Sequence, residues 1–151
     1  MSATKAMLIG TLAVMVPVTG SAFIGGPSGD DETAIRAVLE DYLNGVAKQD
    51  AAMLEKAFDA GNAHMKFVAQ SDDGAEALRV MPIREAFANW TKPPAKPCKG
   101  RVLNLDTVDG RMAVAKYEFL WGDVTFIDYL TLYKINGDWK IVNKVFVRQA
   151  G

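Results

Sequence analysis

The sequence predicts an α+β domain in which helices from the first half of the chain cover one face of a curved antiparallel sheet built by the second half. Three observations carry that expectation. Between Val124 and Arg148, two runs rich in Val, Ile, Thr, Tyr and Phe flank Asn136-Gly137, and an Asn-Gly pair supplies the two positive φ angles of a type I′ hairpin turn. Gly122-Asp123 marks a second turn one strand earlier. Between Asp30 and Gln49, Ile35, Val38, Leu39, Tyr42, Leu43 and Val46 recur at the three- and four-residue intervals of an amphipathic helix.

Taken in order, residues 1–22 hold a lone Lys5, an apolar run from Ala6 to Val18 and small residues Gly20 and Ala22, the layout of a secretory signal peptide. The run is short of the ~20 residues that span a bilayer, so no stable membrane anchor is expected. Residues 23–31 are rich in Gly, Pro and acid and read as a flexible linker, leaving 32–151 as one domain. The whole chain carries 17 basic and 18 acidic side chains, a balance that offers no field for nucleic acid or an anionic membrane.

Asp30, Asp31 and Glu32 suit the positive end of the first helix, and Asp50 can cap a second over AAMLEKAF. Ala63, Met65 and Phe67 alternate with polar residues in a short strand, and Glu76 to Met81 forms another after an SDDG turn. Pro82 opens a third helix at its first position, with Ile83, Phe87 and Trp90 as its buried stripe. The strand from Arg101 to Val108 has no clean alternation, so its register stays open.

Counting outward from the turns gives the other registers. Lys134 faces Trp139, Leu132 faces Ile141, Leu130 faces Asn143 and Asp128 faces Val145; one strand earlier Tyr117 faces Asp128 and Phe119 faces Phe126. The inner face then holds Tyr117, Phe119, Asp128, Leu130, Leu132, Trp139, Ile141 and Asn143. The outer face holds Tyr129, Thr131, Tyr133 and Val142, rimmed by Lys140 and Lys144, and such a mixed apolar patch fits a homodimer interface.

The residues YLNGVAKQD, then KAF, and above all FIDYLTLYKINGDWKIVNKVF resemble the putative lumazine-binding branch of the nuclear transport factor 2-like (NTF2-like, SnoaL-like) superfamily. The resemblance covers most of the chain after Asp31. It implies a cone-shaped NTF2-like (cystatin-like) fold, with three N-terminal helices on the concave face of the sheet, a pocket between the two and frequent dimerisation through a sheet face. It implies no particular ligand.

Asp128 and Tyr117 are the candidate catalytic residues, since a carboxylate in an apolar cavity has a raised pKa and can act as a general acid or base. A buried carboxylate also needs partners when it reacts with nothing, and a register-fixing Tyr–Asp bond, or an Asp bonded to helix residues, is the preferred account of the same letters. Tyr42, Trp90, Phe119 and Asn143 are the candidate ligand-binding residues; with Trp121, Phe126 and Trp139 the aromatic side chains could line a pocket for a flat aromatic ligand or simply form core. His64, the single histidine, alternates outward, and one histidine with one cysteine argues against a zinc site. Cys98, set in TKPPAKPCKG, reads as an exposed loop thiol beside Lys96 and Lys99, with a lowered pKa as the less favoured alternative. There is no Gly-rich phosphate loop, no paired histidines and no nucleophile with an adjacent base, so no cofactor is called for. The sequence therefore points to an exported small-molecule-binding or accessory protein, with a small isomerase, cyclase or dehydratase working through Asp128 as the alternative.

Overall fold

The computed structural model describes residues 28–149; the predicted signal peptide and most of the linker lie outside them. Helix α1 spans Gly29–Ala47, α2 Ala51–Ala57 and α3 Ile83–Trp90, and the strands are β1 His64–Gln70, β2 Glu76–Pro82, β3 Cys98–Val108, β4 Met112–Trp121, β5 Val124–Ile135 and β6 Asp138–Arg148. The strands form one sheet in the order β2-β1-β6-β5-β4-β3, with β1 parallel to β6 and every other pair antiparallel.

Ser28 caps α1 by accepting from the Asp31 N–H, so residues 29–31, assigned to the linker by composition, are the helix's first turn. Asp50 caps α2 through the Ala52 and Met53 N–H groups, as its position predicts. Pro82 stands one place ahead of α3, as its N-cap rather than its first residue. One shared core joins the helices to the sheet: Ile35, Leu39, Tyr42 and Val46 from α1, Leu54 and Ala57 from α2, Ile83 and Phe87 from α3, and Ala115, Leu130, Leu132 and Ile141 from the strands are all buried.

The β4–β5 register is the predicted one, with Tyr117 opposite Asp128 and Phe119 opposite Phe126. At the β5–β6 turn Asn136 and Gly137 both have positive φ, 52° and 93°, and Leu132 faces Ile141 as expected. Beyond that point the count fails. A β-bulge leaves Val142 without a ladder partner, Thr131 pairs with Asn143, Leu130 with Lys144, and Asp128 with Phe146. One extra residue inverts the parity of everything after it. Lys144 and Phe146 therefore join the inner face, and Asn143 and Val145 leave it.

Two neighbours accommodate the bulge. The Ile141 carbonyl accepts from the Asp59 N–H at 3.0 Å, and Phe58 bridges to Ile141 at the end of α2. Further along β6, residues Asn143 to Val145 pair with β1 instead. A second bulge at Leu103 explains why β3 lacks a clean period: Val102 faces Tyr117 and Asn104 faces Lys116. Cys98 opens β3 and is half-buried rather than exposed in a loop; its thiol donates to the Lys96 carbonyl at 3.3 Å, and burial pushes its pKa up, not down.

Candidate functional site

Helix α1 sends Tyr42 into the middle of the inner face. Its ring stacks on Phe119 at 5.0 Å, meets Phe58 edge-on at 5.3 Å and lies 5.6 Å from Trp90, so it links α1 to α2, α3 and β4. The Tyr42 hydroxyl donates to Asp128 Oδ2 at 3.2 Å. The same oxygen receives the Lys144 ammonium in a buried salt bridge. Asp128 is 0% exposed and Lys144 3%. Asp128 Oδ1 is buried without a hydrogen-bond partner among the described residues.

Burial sets the proton affinities of this trio. Loss of water pushes the Asp128 carboxyl up, and the Lys144 charge, the Lys144 bond and the Tyr42 bond pull it back only in part. Burial pushes Lys144 down against the opposing pull of Asp128. Tyr42 is raised well above a normal phenol by burial and then by the Asp128 charge, so it is a donor and not a base. Neither charge is stable here without the other.

Beside the trio a cavity of about 140 Å³ opens between the helices and the sheet. Its walls are Tyr42 and Val46 from α1, Trp90 from α3, Met65 from β1, Phe119 and Trp121 from β4, Phe126 from β5, and Lys144 and Phe146 from β6. Lys144 is the one charged residue in this lining. Its ammonium sits 4.9 Å from the Phe146 ring centre and 5.6 Å from that of Tyr42, held over two aromatic faces as well as against the carboxylate.

The sequence-predicted residues divide clearly. Tyr42, Trp90, Phe119, Trp121 and Phe126 line the cavity. Asn143 does not, because the bulge at Val142 sets it opposite Thr131 on the other face. Trp139 is buried elsewhere, its indole N–H donating to Asp31 Oδ1 at 3.0 Å. Asp128 stands behind Lys144 rather than in the wall. Tyr117 is its strand neighbour, but the phenol bonded to Asp128 is Tyr42, and the Tyr117 hydroxyl lies against Gly100, where an added Cβ would approach it to 1.7 Å. His64 is exposed, as its alternation predicts. Lys144, Phe146, Met65 and Val46 are the wall residues that sequence reasoning missed. The signal that could have found Lys144 is Asp128 itself: a carboxylate fixed on the inner face calls for a cation in reach, and only a slipped count on β6 supplies one.

The outer face carries exposed apolar side chains among charged ones. Val68, Leu78, Val80, Tyr129, Tyr133 and Val147 are exposed there. Lys144 is not at its rim, and Lys140 is tied to the Lys56 carbonyl at 2.5 Å. Among the described residues no helix is long and apolar enough to cross a membrane.

Comparison with known proteins gives the same architecture. No functionally curated protein matches the chain. An NTF2-like protein of unknown function from Methylobacillus flagellatus KT is 32% identical, with a TM-score of 0.68 over 82% of this chain and 96% of that one. One from Shewanella baltica OS155 is 25% identical, with a TM-score of 0.69 over 81% and 96%. A ketosteroid isomerase-like protein from Erwinia carotovora atroseptica shares the fold at a TM-score of 0.63, covering 82% of this chain and all of its own, with 9% identity. The family described as "Putative lumazine-binding" matches residues 30–147. The chain belongs to that family, and its fold is NTF2-like.

Proposed function

We propose that this protein binds a small aromatic molecule in the cavity beneath α1 and α3 and does not transform it. The observation that carries this reading is the wall itself, apolar and mostly aromatic around a single charged residue, Lys144. The volume of about 140 Å³ sets the scale: a closed apolar cavity of about 150 Å³ accommodates benzene, so one ring matches this space while a steroid or flavin would extend beyond it. A thermal-shift series from one-ring to four-ring compounds tests it, because a ligand at 100 times its Kd adds about 2.7 kcal/mol to the folded state. One-ring compounds should raise the Tm and quench Trp90 or Trp121 fluorescence. A preference for steroids or flavins would refute the reading.

The second reading, a small isomerase or dehydratase with Asp128 as general acid or base, draws on the unpartnered Asp128 Oδ1 and the raised carboxyl pKa. It stands second because Lys144 and not Asp128 faces the cavity. Turnover that survives in the parent and disappears in Asp128→Asn, with ligand binding retained, would promote it.

Residues 1–22 support export to the periplasm or beyond, and the exposed face bearing Leu78, Val80, Tyr129 and Tyr133 supports association with a second copy.

A further inference from the structure

The buried pair raises a question of charge balance that any ligand of this cavity must meet. Lys144 with Asp128 is neutral as a unit, and the ammonium reaches a single acceptor, Asp128 Oδ2, among the described residues. An ammonium has three donors. Lys144 lines the cavity and its ammonium lies over the rings of Tyr42 and Phe146, two other wall residues, so a ligand oxygen drawn into the cavity would compete with Asp128 for its donors. We propose that the ligand is a small aromatic carboxylate that takes over Lys144, and that its binding is coupled to uptake of one proton by Asp128. This deepens the cavity reading above and rests on it.

Charge balance supports the coupling. A second carboxylate beside an ionised Asp128 would put two negative charges on one ammonium in a buried site, where an unpaired charge costs several kcal/mol. Adding one proton to Asp128 as the ligand enters restores neutrality: the ligand carboxylate pairs with Lys144, and Asp128 stays behind it as a neutral acid. The unpartnered Oδ1 is the place for that proton, since a bare buried oxygen is tolerated far better neutral than charged.

The surroundings do not compete for it. The titratable groups facing Asp128 are Lys144 from β6, Tyr42 from α1 and Tyr117 from β4. Both tyrosines have proton affinities raised by burial and by the Asp128 charge, and Glu40 on α1 and Cys98 on β3 push Tyr117 the same way. Phe58 just past α2, Trp90 of α3 and Met65 of β1 pack into the same core, and none of them titrates. Among these groups Asp128 alone has a pKa raised from the acidic side toward neutrality.

Benzoate and its neutral isostere benzamide are the probes, measured by calorimetry on the purified protein between about pH 6 and about pH 8, where benzoate remains ionised. Benzoate affinity should rise roughly tenfold for each unit of falling pH, with close to one proton taken up when two buffers of different ionisation enthalpy are compared. Benzamide should bind more weakly at the acid end and show no proton uptake. Asp128→Asn should remove the pH dependence while keeping benzoate binding; should that variant not fold, the two-buffer proton count on the parent protein decides alone. Benzoate binding without proton uptake overturns the proposal, as does benzamide binding as tightly at the acid end, and both outcomes leave the cavity reading intact. Failure of both probes to bind overturns the proposal and the cavity reading together.

Discussion

Lys144→Met separates the electrostatic role of this side chain from its packing role. Methionine keeps the unbranched apolar stem beside Phe146 and Tyr42 and deletes only the ammonium. Asp128 is then buried with the Tyr42 hydroxyl as its remaining partner. Breaking a buried pair in this way costs about 3–5 kcal/mol. Protonation caps the loss, because Asp128 can always become neutral. Holding a carboxyl neutral at pH 7 against an ordinary value of 3.8 costs about 4 kcal/mol. The expected loss at pH 7 is therefore about 3–4 kcal/mol, or roughly 10–15 °C in Tm for a domain of this size.

Its pH dependence has a definite sign. The folded Asp128 pKa already lies above the unfolded value, and removing Lys144 deletes the two largest influences holding it down. A raised carboxyl pKa costs nothing below the unfolded value and progressively more above it. The deficit should thus be smallest near pH 4 and grow toward neutrality. Urea titrations followed by tryptophan fluorescence at several pH values measure it. The double variant Asp128→Asn with Lys144→Met should recover most of the loss, since no charge is then left unpaired. A deficit below about 1 kcal/mol, one that does not vary with pH, or a double variant that merely sums the single losses would each refute this account of the pair.

Other expectations follow from neighbouring features. Gly100→Ala should destabilise the fold by about 1–3 kcal/mol, because the new methyl collides with the Tyr117 phenol, and Tyr117→Leu in the same chain should relieve part of the loss in thermal melts. Asp31→Asn should lower the Tm at neutral pH by weakening the links from α1 to Lys134 and Trp139. Bonds from those two residues and Ser28 hold the Asp31 carboxyl below its usual value, so the deficit should vanish as the pH drops through that lowered value, and a deficit persisting in acid would refute it. Light scattering at micromolar concentration should show a dimer that Tyr133→Asp dissociates, and a monomeric parent would count against the outer-face interface. Intact-mass analysis from the native host should show a chain beginning at Phe23 or within a few residues of it; recovery of full-length cytosolic protein would refute export.

Most of the fold was legible because its local signals agree. Asn136-Gly137 specifies a tight turn, the Tyr117–Asp128 register follows from Gly122-Asp123, and Ile35, Leu39, Tyr42 and Val46 announce the buried side of α1. The two bulges were not legible, and each for the same reason. On β6 the unbroken set Trp139, Ile141, Asn143 and Val145 is as apolar as the true set, in which Lys144 and Phe146 replace the last two, so alternation cannot choose between them. On β3 the adjacent Val102 and Leu103 conceal the slip instead of marking it. Long-range partners were legible only as types. Tyr42 and Asp128 were both flagged, but no pattern within a single element says that residues 86 apart share a hydrogen bond.

The bulge at Val142 makes β6 behave like a two-position dial. Turned one way, by an even count from the hairpin, the strand would offer an amide, Asn143, to the inner face; turned the other, as here, it offers an amine, Lys144. These two settings differ only in whether Val142 is bulged out of the ladder, with no change in chain length or in the side chains themselves. A relative whose β6 paired regularly through this point, with the same number of residues, would present its equivalent of Asn143 where Lys144 stands here and exchange a cationic site for a neutral one. Among proteins of this fold the presence of a bulge in this strand is therefore as informative about the chemistry of the bound molecule as the identity of any residue in it.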